Sequence, residues 1–293
     1  KDPSCLYGIC SRRWRRFLFW VSSYVTSHNY FYTAGLYPSV KHMSTSTRME
    51  MADVRDDLRV WQNMSNVIRI EDRLYAYEHP CPFQIELADY IAGLARAMEY
   101  VSSLEVGSSF GVTSALLPRN FHKSLLDYDP VALEKGVEFY ERIGQSVETT
   151  NRDILQTDAG PLDGRYDLVF SAGLLEHFNE TERRTIIENM VRYTKIGGYI
   201  VIGIPNHYSL PYRLAYLGLL LLKRWEYPQE QKIRNFDAEI EGMDGVVPIN
   251  ETLLDRNGVY SLYPGPLAYA AKCIGRLCNS EGYLRVFLFQ RKG

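Results

Sequence analysis

From residue 101 onward, short apolar runs alternate with segments of helical periodicity, and no other feature restricts the fold as strongly. "SSLEV" precedes a helix after Gly111, "KSLLDY" precedes a helix opened by Asp129 and Pro130, and "VETTN" leads into a loop. "YDLVFSA" is followed by a helix from Glu180 to Tyr193, and "GGYIVIGIP" by a long mixed segment. This alternation predicts an α/β fold with a parallel sheet wrapped by helices. Right-handed crossovers then put the C-terminal ends of the strands on one edge, where ligands bind. The chain closes with "GYLRVFLFQRKG", an alternating strand that needs no further helix and is predicted as an antiparallel edge strand.

Upstream of residue 101, Met49 to Met64 and Pro82 to Val101 carry helical spacing, so two helices are expected before the first strand, separated by a Pro- and aromatic-rich loop from Tyr75 to Pro82. The domain reading is an N-terminal extension over 1–42, a helical lid over 43–100 and a ligand-binding domain over 101–293, with an insertion at about 206–245. The extension is rich in aromatics and arginine and poor in acids, and Met43 suits a native start.

The 293 residues are 46% apolar, enough for a sizeable core. A net charge of −2 gives no long-range attraction to a polyanion, which disfavours nucleic acid as a partner. No stretch reaches the roughly 18 apolar residues of a membrane span. Five cysteines form two C-x4-C pairs (Cys5 with Cys10, Cys273 with Cys278) and a singleton, Cys81. That spacing lacks the tight knuckles of a zinc site, and the odd count suits a reducing, cytoplasmic compartment.

The segment "LEVGSSFG", Leu104 to Gly111, joins the first strand to its helix. A dinucleotide loop has its third glycine five positions after the first, and that position here is Val112. Glu105, Gly107 and Gly111 instead meet an acid-x-G-x-G-x-G spacing in which Ser109 replaces the middle glycine. The second strand ends at Asp127, placed to accept hydrogen bonds from both hydroxyls of a ribose. Asp129 reads as the N-cap of the following helix.

With "NRDILQ" after the third strand, "YDLVFSAGLLEHF" at the fourth and "YTKIGGYIVIGIPN" at the fifth, the chain from about 83 to 293 resembles class I S-adenosylmethionine (SAM) dependent methyltransferases. It is similar to the small-molecule branch that includes the ubiquinone and menaquinone pathway enzymes, with Ile196 where that pattern has proline. The resemblance implies a doubly wound, seven-stranded mixed sheet with an antiparallel last strand. SAM is the implied cofactor, held by Glu105, Gly107, Ser109, Gly111, Asp127, Tyr128, Asp153, Ile154 and Ser171. In that role Asp153 takes a hydrogen bond from the adenine amine and the Ile154 backbone meets the ring edge.

Methyl transfer from a sulfonium is an in-line displacement, so positioning supplies much of the rate, and a base is needed only for a poorly ionised acceptor. His177, just past the fourth strand, is the first base candidate, since imidazole titrates near working pH. Glu176 orients it, contacts the cofactor amino group or helps bind a divalent ion; His207, after the fifth strand, is a second base candidate. No metal site is expected. His79, Tyr75 and Tyr77 are lid candidates. The acceptor is expected to be a small hydrophobic or aromatic molecule methylated on oxygen in preference to nitrogen or carbon. The apolar helix in "LPYRLAYLGLLLLKRW" must cover its face, with a cap over the acceptor pocket ranked first, a homodimer surface second and a membrane contact third. The rival readings are a SAM-binding protein without catalysis and an NAD-dependent oxidoreductase.

Overall fold

The computed structural model describes residues 54–293 apart from 159, 226, 264 and 279–281. The extension over 1–42, with Cys5, Cys10, His28 and His42, lies outside the described residues. Three helices come first: α1 (Val54–Val67), α2 (Ile70–Glu78) and α3 (Pro82–Leu94). The expected loop from Tyr75 is therefore mostly helix. Arg69 and Asp72 close a capping box that starts α2, and only the stretch around Pro80 and Pro82 breaks the helical run. The aromatics there are packing residues. Tyr77 meets Phe139 edge-on and Tyr75 stacks on His79.

The sheet strands are β1 (Val101–Val106), β2 (Phe121–Asp127), β3 (Glu148–Asn151), β4 (Tyr166–Ala172), β5 (Thr194–Pro205), β6 (Val246–Leu254) and β7 (Leu284–Arg291). Between them run α4 (Val112–Ala115), α5 (Pro130–Arg142), α6 (Glu180–Tyr193), α7 (Leu210–Leu221), α8 (Asp237–Ile240) and α9 (Gly265–Leu277). The strand order is β3-β2-β1-β4-β5-β7-β6. The first five strands pair in parallel, and β7 runs antiparallel to both neighbours. The last strand is thus antiparallel as expected, but it is not the edge. The edge is β6, "VVPINETLL", which has no apolar run, contains Pro248 and is largely solvent-exposed. An interior position explains why six successive residues of β7, from Leu284, are buried.

Two apolar layers sandwich the sheet. On one face Ile186, Ile187 and Met190 of α6 pack on Leu104, Val169 and Ile202. On the other, Leu87 and Ile91 of α3 pack on Val101, Phe170 and Val201. Successive residues of a strand point to opposite faces, so a sheet covered twice needs near-continuous apolar strands. All six residues of β1 are buried, and its polar members have partners: Ser102 bonds Asp167 and Glu105 bonds the N–H of Ser114.

The order turns at β1, which has β2 on one side and β4 on the other, so a crevice opens beyond the strand ends there. The β1–α4 loop fits under this crevice because Gly111 adopts φ +72° and a Cβ on it would meet both Leu125 methyls at 2.6 Å. Gly111→Ala is therefore expected to cost about 2 kcal/mol or more from the left-handed backbone and overpacking together. Urea unfolding should show a lower midpoint at unchanged slope.

Candidate active site

The loop after β1 turns through three left-handed residues, Gly107, Ser109 and Gly111. Ser109 is at φ +50°, a conformation that costs a non-glycine residue about 1 kcal/mol. Its N–H donates to Asp127 Oδ2 at 2.8 Å, and that charge-assisted bond offsets the cost. Asp127 Oδ1 accepts from the N–H of Asp129 at 3.0 Å, while the N–H groups of Gly107 and Ser108 donate to Leu126. Asp129 caps α5 through Val131 N–H.

Above the loop is a cavity of about 320 Å³. Its wall includes Glu105, the loop Gly107–Gly111, Asp127, Tyr128, Asp129, Asp153 and Ile154. These residues include every expected cofactor residue except Ser171, which is fully buried within β4 and absent from the cavity wall. Ala172 and Gly173, just beyond it, take that place. Asp153 forms an Asx turn with Leu155 N–H, and Asn189 of α6 donates to the Ile154 carbonyl, which fixes the loop after β3 against the helix. Burial pushes Asp127 up to about 6, against the pull of the backbone N–H groups it accepts. Glu105 is pushed by burial up to about 7, with Ser114 opposing.

The other half of the cavity is aromatic and acidic. Leu175–His177 form a 3-10 turn after β4 that presents both Glu176 and His177 to it. His177 Nε2 is 3.9 Å from Glu176 Oε1, and its ring meets Trp61 of α1 edge-on at 5.4 Å. Burial lowers the His177 pKa, so the imidazole is neutral and able to accept a proton. Glu176 is 2% exposed, and its Oε2 has no hydrogen-bond partner. Burial first, and then the charge of Glu230, raises its pKa well above the ordinary carboxylate range.

Glu230 was not legible in the sequence. It belongs to the strap between α7 and α8, where Trp225, Tyr227 and Glu230 all line the cavity. The Gln231 N–H donates to the Glu176 carbonyl at 2.7 Å, which lays the strap across the 3-10 turn. Arg183 of α6 clamps the far side, donating to Glu239 at 2.6 Å, to Gln231 and to the Phe178 carbonyl. Of the segment expected to cap an acceptor pocket, it is this strap and not the apolar helix that lines the cavity. Helix α7 packs instead on α9 and the 3-10 turn Gly258–Leu262, through Tyr212, Tyr216, Val259 and Tyr260.

His207 does not suit the role of base. It is buried and outside the cavity wall, with Nε2 2.8 Å from Glu230 Oε2 and Nδ1 3.1 Å from an Arg213 N–H. An Arg N–H can only donate, so Nδ1 is the acceptor and Nε2 carries the proton given to Glu230. His207 holds Glu230 in place. The lid candidates Tyr75, Tyr77 and His79 also stand away from the cavity, which α1, α2 and α3 close with Trp61, Arg73 and Phe83. Arg73 lies over the Phe110 ring at 4.8 Å, a cation at the loop end that the sequence reading passed over. Among the described residues there is no group of three or more His, Cys, Asp and Glu side chains that could hold a metal ion, and no helix is long and apolar enough to cross a membrane.

Residues 104–198 match the family model described as "Methyltransferase domain". The match runs from the glycine loop through β2, β3 and β4 to the start of β5, so this part of the chain is similar to a methyltransferase domain. The chain is 26% identical over 156 residues to the probable biofilm formation methyltransferase WspC of Pseudomonas putida, covering 51% of this chain and 37% of that protein. It is 23% identical over 154 residues to phosphoethanolamine N-methyltransferase 1 of Zea mays, covering 52% and 30%. The chain thus spans about a third of the length of these curated relatives. In three dimensions it is similar to geranyl diphosphate C-methyltransferase from Streptomyces coelicolor A3(2), solved with Mg2+, geranyl diphosphate and S-adenosyl-L-homocysteine. There the identity is 12%, the coverage 92% of this chain and 98% of that one, and the TM-score 0.51. At that identity the likeness bears on the fold of the methyltransferase domain.

Glu105 supplies a pH test of this site. A carboxyl that is a weaker acid folded than unfolded binds extra protons in the folded state, so its ionisation lowers stability as pH rises from the ordinary carboxylate range through about 7. Glu105→Gln keeps an acceptor for Ser114 N–H and removes the charge. Thermal melts should show this variant losing less stability than the parent between about pH 5 and about pH 8.

Proposed function

We propose that the protein is an enzyme that transfers a methyl group from SAM to a small-molecule acceptor. The observation that carries this reading is the placement of Asp127 and the Gly107–Gly111 loop on one wall of a cavity whose other half holds Glu176, His177 and Glu230. In this reading Asp127 accepts hydrogen bonds from the ribose hydroxyls, its two oxygens having more acceptor capacity than the backbone N–H groups of Ser109 and Asp129 use. Asp153 takes the adenine amine and the Ile154 N–H meets the ring edge, the Ile154 carbonyl being held by Asn189. The left-handed loop lets the methionyl part approach the backbone closely, and Arg73 pairs its carboxylate. When bound, SAM supplies an electrophilic methyl group.

The chain's own residues then hold the acceptor in line and exclude water, the strap and α1 forming the roof. For a hydroxyl acceptor, the sequence-based preference, neutral His177 takes the proton. For an amine, the two carboxylates Glu176 and Glu230 are the better match. A binding protein without catalysis would have no use for unpaired Glu176 Oε2 buried beside the site.

Calorimetry with S-adenosylhomocysteine and with NAD tests the cofactor half. Homocysteine-product binding without NAD binding is expected; tight NAD binding alone would sink the reading. Asp127→Ala is expected to weaken S-adenosylhomocysteine about tenfold or more, the worth of one charge-assisted hydrogen bond. In the parent, affinity should fall as pH drops below about 6, where Asp127 takes up a proton.

A further inference from the structure

Four rings form a chain of T-shaped and tilted contacts along the acceptor half of the cavity. Trp225 meets Tyr227 at 5.4 Å, Tyr227 meets Trp61 at 5.9 Å, and Trp61 meets His177 at 5.4 Å. All four residues line the cavity, as do Glu176 and Glu230. Glu176 lines this enclosure, and its buried Oε2 has no hydrogen-bond partner. Glu230 accepts from His207 and from the Tyr212 hydroxyl, each at 2.8 Å, and both bonds fall on Oε2, which leaves Oε1 for the cavity. The cations nearby are committed elsewhere. Arg213 donates to His207 behind the wall, and Arg73 lies against Phe110 at the glycine loop.

Two carboxylates brought side by side out of water repel each other, and a cation between them relieves that repulsion. Aromatic faces attract a desolvated cation through the ring quadrupole, and they do nothing comparable for a neutral hydroxyl. Resting on the methyltransferase reading above, we propose that the acceptor is an amine, which enters as its ammonium ion and is held between Glu176 and Glu230 under the aromatic wall. One carboxylate must then become a base. Glu176 takes a proton from the ammonium nitrogen and becomes the neutral acid. The freed lone pair forms a bond to the methyl carbon while the carbon–sulfur bond breaks, its electron pair staying on sulfur as a thioether. The N-methylammonium product is left paired with Glu230. His207 and Tyr212 act as positioning residues that fix the Glu230 rotamer.

The test uses phenethylamine and phenethyl alcohol, a cation and a neutral molecule of nearly the same shape, titrated calorimetrically into the full chain saturated with S-adenosylhomocysteine. The amine is expected to bind about tenfold tighter or better, and Glu176→Gln and Glu230→Gln each to shrink that preference to about threefold or less. A retained rise in Tm on adding S-adenosylhomocysteine shows that each variant is folded. Equal or tighter binding of the alcohol, no heat from either molecule, or a preference that survives both substitutions would overturn the amine assignment while leaving methyl transfer intact. Failure of S-adenosylhomocysteine to bind the parent would instead overturn both readings.

Discussion

The carboxylate of Asp127 ties the site together. One of its oxygens takes the N–H of Ser109 and the other the N–H of Asp129, so a single side chain at the end of β2 fixes both the loop after β1 and the start of α5. Neutral bonds would hold the loop less firmly, since an ionised acceptor roughly doubles the strength of each. The same charge is expensive to bury, and burial raises the group to about 6. The polar hydroxyls of a bound ribose would relieve that cost, so the residue that shapes the loop would itself gain from a ligand.

A second constraint acts across the cavity. The strap from Tyr227 to Gln231 has no regular structure, and its position depends on the Gln231–Glu176 backbone bond and the Arg183–Glu239 pair. Arg183 is buried with three acceptors arranged around it, so removing Glu239 would leave an uncompensated charge, a far larger penalty than the loss of a surface pair. Through this clamp α6, which covers the sheet, also ties the segment that bears Glu230 to the end of the turn that bears Glu176. Fold and chemistry are therefore coupled at one helix.

Much of this was legible in the chain. The span of α6, the cap at Asp129 and the succession of the first five strands along the chain follow from apolar runs and cap residues, because those signals are local. Glu105, Asp127 and Asp153 could be placed at the site because topology puts strand ends on one edge. The edge strand β6 escaped notice since a half-exposed strand carries little apolar signal, and β7 was misplaced because alternation alone cannot distinguish an edge strand from an inserted one. Ser171 and His207 were read as site residues from their positions in the chain, yet side-chain direction put them behind the wall. Glu230, Arg73 and Trp61 come from segments distant in sequence, and only tertiary packing brings them to the cavity.

The central claim is that the cavity holds SAM in one orientation, with its methyl group facing the acids. A crystal structure of the chain with S-adenosylhomocysteine tests this most directly. The account predicts ribose hydroxyls on Asp127, the adenine edge at Asp153 and Ile154, and the sulfur facing Glu176. A nucleoside bound in the reverse sense, with adenine beneath Trp61 and the sulfur at Asp153, or bound outside the cavity, would contradict it.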